Sequence, residues 1–175
     1  MAAELLEVLG ARAITKEDCI AYFHRHIKRR TSALIGLEYE LILIDKATSL
    51  SVPFFGLRSL SSIFKGLLGY GYSPVYDDGL IIGLRRGGTV ISLEPGGQVE
   101  FSSSALRLVS DVVIELEVFL RELDRVCQGL AISLLPIGYR PYGGVASVAT
   151  VPRTRYLHMM PCLLYTSDAA DDMQC

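Results

Sequence analysis

Between Asp77 and Ser102 the chain alternates short apolar runs with tight-turn signals, and no other stretch narrows the possible folds as much. Asp77-Asp78-Gly79, Arg85-Arg86-Gly87-Gly88 and Pro95-Gly96-Gly97 supply the residues that tight turns demand. Between them, 80–84, 89–93 and 98–102 read as strands. Strands joined this closely must run antiparallel.

Helical signals flank this meander. Thr15 with Asp18 three residues on forms a capping pair, and Ile20, Phe23 and Ile27 follow at helical spacing, which predicts a helix over 15–29. Its basic end, Arg25, Lys28, Arg29 and Arg30, suits the helix dipole. Residues 33–45 read as a strand. Leu57, Leu60, Phe64 and Leu67 predict a short helix stopped by Gly69 and Gly71. Leu106, Val109, Val113, Leu116, Leu120, Leu123 and Cys127 predict a long helix over 104–128, with Ser102, Ser103 and Ser104 as its cap and Gly129 as its end. One more strand is expected within 130–138, interrupted by Pro136. The expected class is α+β, an antiparallel sheet backed by helices.

Composition narrows the function classes. A formal charge of −2 overstates acidity, because Asp168, Asp171 and Asp172 all lie in the terminal fourteen residues. The remainder is near neutral, so no field favours nucleic acid, and none is expected as a partner. Mean hydropathy is positive, yet no run of about 18 apolar residues is free of charge and proline, so no membrane association is expected. With no basic region leading into an apolar run at the N-terminus, the expected compartment is the cytoplasm. Cys19, Cys127, Cys162 and Cys175 show no metal-site spacing and read as free thiols. The oligomeric state is not legible.

The chemistry sits in two acidic strands, Gly36-Leu37-Glu38-Tyr39-Glu40 and Leu93-Glu94-Pro95-Gly96-Gly97-Gln98-Val99-Glu100-Phe101-Ser102. Successive strand residues face opposite ways, so Glu38 shares a face with Glu40, and Gln98 with Glu100. Carboxylates gathered in a partly buried cleft repel one another unless a cation compensates them, and hard oxygen donors suit magnesium. Each element also has a plainer explanation. Glu-x-Glu on a strand is usually a solvated face, and Glu94 and Gln98 can simply close a hairpin. His24, His26 and His158 lie in no Cys/His constellation and read as structural, and Cys127 reads as core.

Taken together with Pro152-Arg153-Thr154-Arg155-Tyr156, these motifs resemble those of the plant-type glutamate–cysteine ligases, which proteobacteria share, over residues 13–160. The resemblance implies a glutamine-synthetase-like catalytic domain, here truncated. It also implies an ATP-dependent reaction in which the γ-carboxylate of glutamate is phosphorylated and the cysteine amine displaces phosphate, giving γ-glutamylcysteine, the first step of glutathione biosynthesis. ATP and Mg2+ are the implied cofactors. By carry-over, Glu38, Glu40 and Glu100 are the implied metal ligands. Glu94 and Gln98 would orient a substrate ammonium group, and Arg155 would pair a substrate carboxylate or a phosphate oxygen as the catalytic arginine. Arg153 and Arg85 are weaker nominations. No Walker-type loop is present, which suits a nucleotide held against a sheet.

This sequence departs from the family pattern at Leu37, at Phe101-Ser102-Ser103 and at Thr154, where a small polar residue, a leucine-serine-glycine run and a glycine are common. Residues 1–161 are expected to form the N-terminal part of one catalytic domain, inactive and marginally stable alone. Residues 162–175 resemble the in-frame translation of a sequencing-library adapter and are expected to lie outside the fold. Two other readings stay open: a different carboxylate–amine ligase of the same superfamily, and a non-catalytic binding module.

Overall fold

The computed structural model describes residues 13–27, 33–140, 143–144 and 147–171, with side chains as far as residue 162. Two compact units divide the chain, Met1–Ala33 and Leu34–Cys175. The first contains helix α1 (Lys16–His26), opened by the capping box expected from Thr15 and Asp18: the Asp18 amide donates to Thr15 Oγ1, and the Thr15 amide donates back to Asp18. The helix ends three residues short of the prediction. Lys28, Arg29 and Arg30 lie outside the described residues. His26 Nδ1 meets the Tyr22 carbonyl at 2.7 Å, a structural role.

The second unit is a six-stranded antiparallel sheet backed by helices. Its strands are β1 (Glu38–Asp45), β2 (Ser73–Asp77), β3 (Leu80–Arg86), β4 (Thr89–Leu93), β5 (Val99–Ser102) and β6 (Ile132–Leu135), in the order β2-β3-β4-β5-β1-β6. The expected meander from β3 to β5 is present. β2 adds a strand the sequence did not announce, and β1 closes onto β5. The strand predicted from residue 33 starts only at Glu38; Ile35 makes an isolated bridge to Leu106 instead.

One face of the sheet is dry. Leu41, Leu43, Leu84, Ile91, Leu93, Val99 and Phe101 are buried with Ile63, Phe64 and Leu67 of α2 (Leu60–Leu67) and with Phe119, Leu123 and Cys127 of α3 (Val109–Gly129). The two helices approach closely beside Gly66, where an added Cβ would stand 2.8 Å from Val126 Cγ1. α2 starts later than predicted, because buried Ser59 accepts the Ser62 amide as its cap and leaves Leu57 exposed.

The α3 expectations need correcting in three respects. The helix starts at Val109, not 104, and Leu108 at its cap position offers no side-chain bond. Ser103 is engaged elsewhere, accepting the Leu37 amide, while the Ser104 amide donates to Glu115. The buried stripe also runs through Val112 and Phe119, and Val109 and Val113 are exposed. Phe101 decides this, because Phe119 stacks on it with ring centres 5.0 Å apart. At the far end the helix closes at Gly129 as expected, and Ala131, two residues on, takes the left-handed conformation.

A final helix, α4 (Thr154–Asp171), carries Pro161 in its interior. Its backbone stays helical through 162–171. The packing of side chains beyond residue 162 lies outside the described residues. No helix among the described residues is long and apolar enough to cross a membrane.

Candidate active site

The strand residues that alternate with the dry face form a second, polar face. Paired residues of an antiparallel ladder share a face, so two rows can be read directly from the register. One runs Gly83–Ser92–Glu100–Glu40, and the next runs Arg85–Val90–Ser102–Glu38. Glu40 and Glu100 therefore stand opposite one another on adjacent strands, and Ser92 donates to Glu100 Oε1 at 3.3 Å from the other side.

Like charges placed directly across a ladder destabilise it. Glu94, just beyond β4, joins the same acidic field. Its carboxyl is held above the ordinary glutamate range, first by burial and then by Glu100 and Glu40, while Arg155 and Arg153 oppose the shift. The balance brings five of the nominated residues into one electrostatic neighbourhood: Glu40, Glu94, Glu100, Arg153 and Arg155. Arg153, the weaker nomination, acts on Glu94 too, after Arg155.

Gln98 completes the turn. The Glu94 amide donates to the Gln98 carbonyl and the Gly97 amide to the Glu94 carbonyl, both at 2.9 Å, with Gly97 at a positive φ. Gln98 Oε1 is buried without a hydrogen-bond partner among the described residues, and it sits where a Cβ on Gly96 would come within 2.7 Å. A buried acceptor of this kind has capacity for one more donor.

Two nominations are less closely integrated. Glu38, exposed like Glu40, stands opposite Ser102, one row from the Glu40–Glu100 pair. Among the described residues no three His, Cys, Asp or Glu side chains converge closely enough to hold a metal ion. In chemistry alone, the hard carboxylate oxygens of the opposed Glu40 and Glu100 suit a divalent cation, while among the described residues no third acid closes on that pair. Arg85 lies on the polar face but on β3, three strands and about 14 Å from Glu38.

The arginines arrive from outside the sheet. The Val151 amide donates to the Pro95 carbonyl, and the buried Tyr156 hydroxyl to the Leu93 carbonyl at 2.7 Å, which docks the start of α4 beside Glu94. A cavity of about 500 Å³ there is lined by Val75, Asp77, Ile82, Arg153, Arg155 and His158, among others. Sequence reasoning missed Ser92 and Asp77. Ser92 was findable, since it alternates with Glu94; Asp77 read only as part of a turn. A cleft of about 430 Å³ in the first unit, along α1, contains no nominated residue.

Comparison with known proteins identifies the family. The model of glutamate-cysteine ligase family 2 matches residues 34–173. The chain is 29% identical over 150 residues to the chloroplastic glutamate–cysteine ligase of Nicotiana tabacum, covering 85% of this chain and 28% of that protein. It is 29% identical over 144 residues to chloroplastic glutamate–cysteine ligase A of Oryza sativa subsp. japonica, covering 82% and 29%. For the chloroplastic enzyme of Arabidopsis thaliana the identity is 28% over 150 residues, covering 85% and 28%. The chain thus spans less than a third of the length of these relatives. Their names overturn the expectation of a cytoplasmic compartment, since all three are chloroplastic. A matching family model over most of the chain, together with the opposed acids of β1 and β5, places it plainly: the chain belongs to glutamate-cysteine ligase family 2.

Proposed function

We propose that this chain supplies the acidic half of an active site that joins the γ-carboxylate of glutamate to the amine of cysteine at the expense of ATP. The observation that carries the reading is the Glu40–Glu100 opposition, flanked by Glu94 and approached by Arg153 and Arg155. Glu40 and Glu100 would hold a magnesium ion, with Glu38 swinging in from the neighbouring row. Such an ion would supply positive charge against the negative charge that builds up during phosphoryl transfer.

The chain's own residues position and screen. Arg155 presents parallel N–H donors to a substrate carboxylate or phosphate oxygen, and Arg153 adds charge beside it. Glu94 and the orphan Gln98 Oε1 accept from a substrate ammonium group. A γ-carboxylate oxygen of glutamate attacks the terminal phosphorus of ATP, releasing ADP and leaving an acyl phosphate. The cysteine amine then attacks the acyl carbon, phosphate leaves with the C–O bonding pair, and the amine proton is lost. The choice of cysteine as the amine rests on the family alone.

The metal site is tested with Mn2+ as a paramagnetic probe of the isotope-labelled chain. Amides of residues 38–40, 92–94 and 98–100 should broaden first, magnesium should compete, and Glu100→Gln should abolish the effect. Broadening centred anywhere else overturns the assignment. The amine is tested by assaying the whole protein, with ATP and glutamate, against a panel of amines.

A further inference from the structure

Asp77 ends β2, and its carboxylate accepts two hydrogen bonds from the first residue of α4: the Thr154 amide to Oδ2 at 2.8 Å and the Thr154 hydroxyl to Oδ1 at 3.0 Å. The opening amides of a helix have no partners within it, and a carboxylate there also meets the positive end of the helix dipole. Asp77 therefore caps a helix 77 residues away in sequence. A second anchor lies two residues on, where the Tyr156 hydroxyl is bound to the Leu93 carbonyl.

Arg153 and Arg155 rest against Tyr156, their guanidinium carbons 5.4 and 5.5 Å from its ring centre. Val151, bound to the Pro95 carbonyl, and Tyr156 hold the chain on either side of residues 153–155 but make no bond to the first helical amide. With Asp77 as well, the rotation of the helix end is fixed.

We infer that Asp77 is a positioning residue for the proposed site: by capping α4 through Thr154 it sets the first turn of the helix and keeps the Arg153 and Arg155 side chains against Tyr156, at the edge of the acidic face. The inference rests on the ligase reading only for what the two arginines go on to bind.

NMR of the 175-residue chain tests it without any ligand. In the unaltered protein the side-chain protons of both arginines carry a ring-current displacement from Tyr156. Asp77→Ala should abolish that displacement and speed exchange of the Thr154 amide about tenfold, the loss expected on removing a helix cap. Thr154→Val, which deletes only the hydroxyl bond, should reduce the displacement and also decides the matter if Asp77→Ala does not fold. Asp78→Asn makes the same loss of charge one residue away, at a left-handed position that Asn tolerates, and should change neither signal. Ring-displaced arginine resonances that survive both Asp77→Ala and Thr154→Val overturn the inference. Failure of magnesium or ATP to bind would count against the ligase reading and leave this result standing.

Discussion

Glu40 and Glu100 face one another across the β1–β5 ladder, an arrangement that sheet stability alone disfavours. The dry face of the same strands is filled by Tyr39, Leu41, Val99 and Phe101, so the register is fixed by burial on that side. The acids are thus forced together by packing they take no part in. The backbone positions of Glu40 and Glu100 are therefore set by core packing and not by anything on the polar face.

Glu94 reports on that crowding through pH. Its carboxyl is raised by burial, Glu100 and Glu40, so between the unfolded and folded values the folded chain binds more protons than the unfolded one. Stability must then fall as pH rises through that window and level off above it. Glu94→Gln should remove this part of the slope and make the chain more stable at neutral pH, by no more than about 1 kcal/mol because the group is only partly buried and solvent screens it. Urea unfolding at several pH values measures it; a variant less stable than the parent at pH 7 would contradict the crowding.

The α3 stripe gives a direct test of side-chain placement. Phe119 is fully buried against Phe101, whereas Val113 is 42% exposed. Phe119→Ala should cost about 3–5 kcal/mol. Val113→Ala should stay within about 0.5 kcal/mol, as surface changes do. Chemical denaturation of both variants decides it, and the reverse order would restore the stripe read from periodicity.

Leu116, Leu120, Leu123 and Cys127 lie where periodicity put them, and the shift at Val109 and Val113 shows where sequence stops being informative. A helix with apolar residues on adjacent rows has two plausible buried faces, and the choice depends on a partner ring far off in sequence. The meander was legible because its turns are local: Asp78-Gly79 and Gly96-Gly97 fix the hairpins by backbone preference alone. β2 was hidden by Pro74, a residue that an edge strand tolerates and a central one does not. In the site, the shared face of Glu38 and Glu40 followed from the period of two. The Glu40–Glu100 pairing and the approach of Arg153 depend on long-range register and on the Tyr156–Leu93 hydrogen bond, and no local pattern encodes either.

Behind the sheet, Glu122 binds both Arg86 at 2.9 Å and the Tyr72 hydroxyl at 3.0 Å, with Arg86 lying over the Tyr72 ring. Burial, with Glu122 adding to it, pushes the Tyr72 phenol well above its ordinary range. Glu122→Gln should cost about 1.5–3 kcal/mol, the worth of hydrogen bonds to charged groups. It should also lower the Tyr72 titration midpoint, followed by absorbance at alkaline pH. An unchanged midpoint would show that burial alone raises the phenol.

We propose a boundary after Pro161, although the backbone of α4 continues to Asp171 and the family match to residue 173. Met159 and Met160 pack against the core and Tyr156 is buried, whereas Cys162 is exposed. Pro161 lacks the N–H that an uninterrupted helix needs, and its ring crowds the preceding turn, so continuing past it costs free energy that buried contacts would have to offset. If residues 162–175 make no such contacts, deleting them should move Tm by less than about 2 °C. A fall of more than about 4 °C, roughly 1 kcal/mol or more for a chain of this length, would place the segment inside the fold. The comparison also separates the segment from the site, because Arg153, Arg155 and their anchors Asp77 and Leu93 all lie before the cut. Truncation should therefore leave the ring-displaced arginine resonances where they are, even if the last turns of α4 fray.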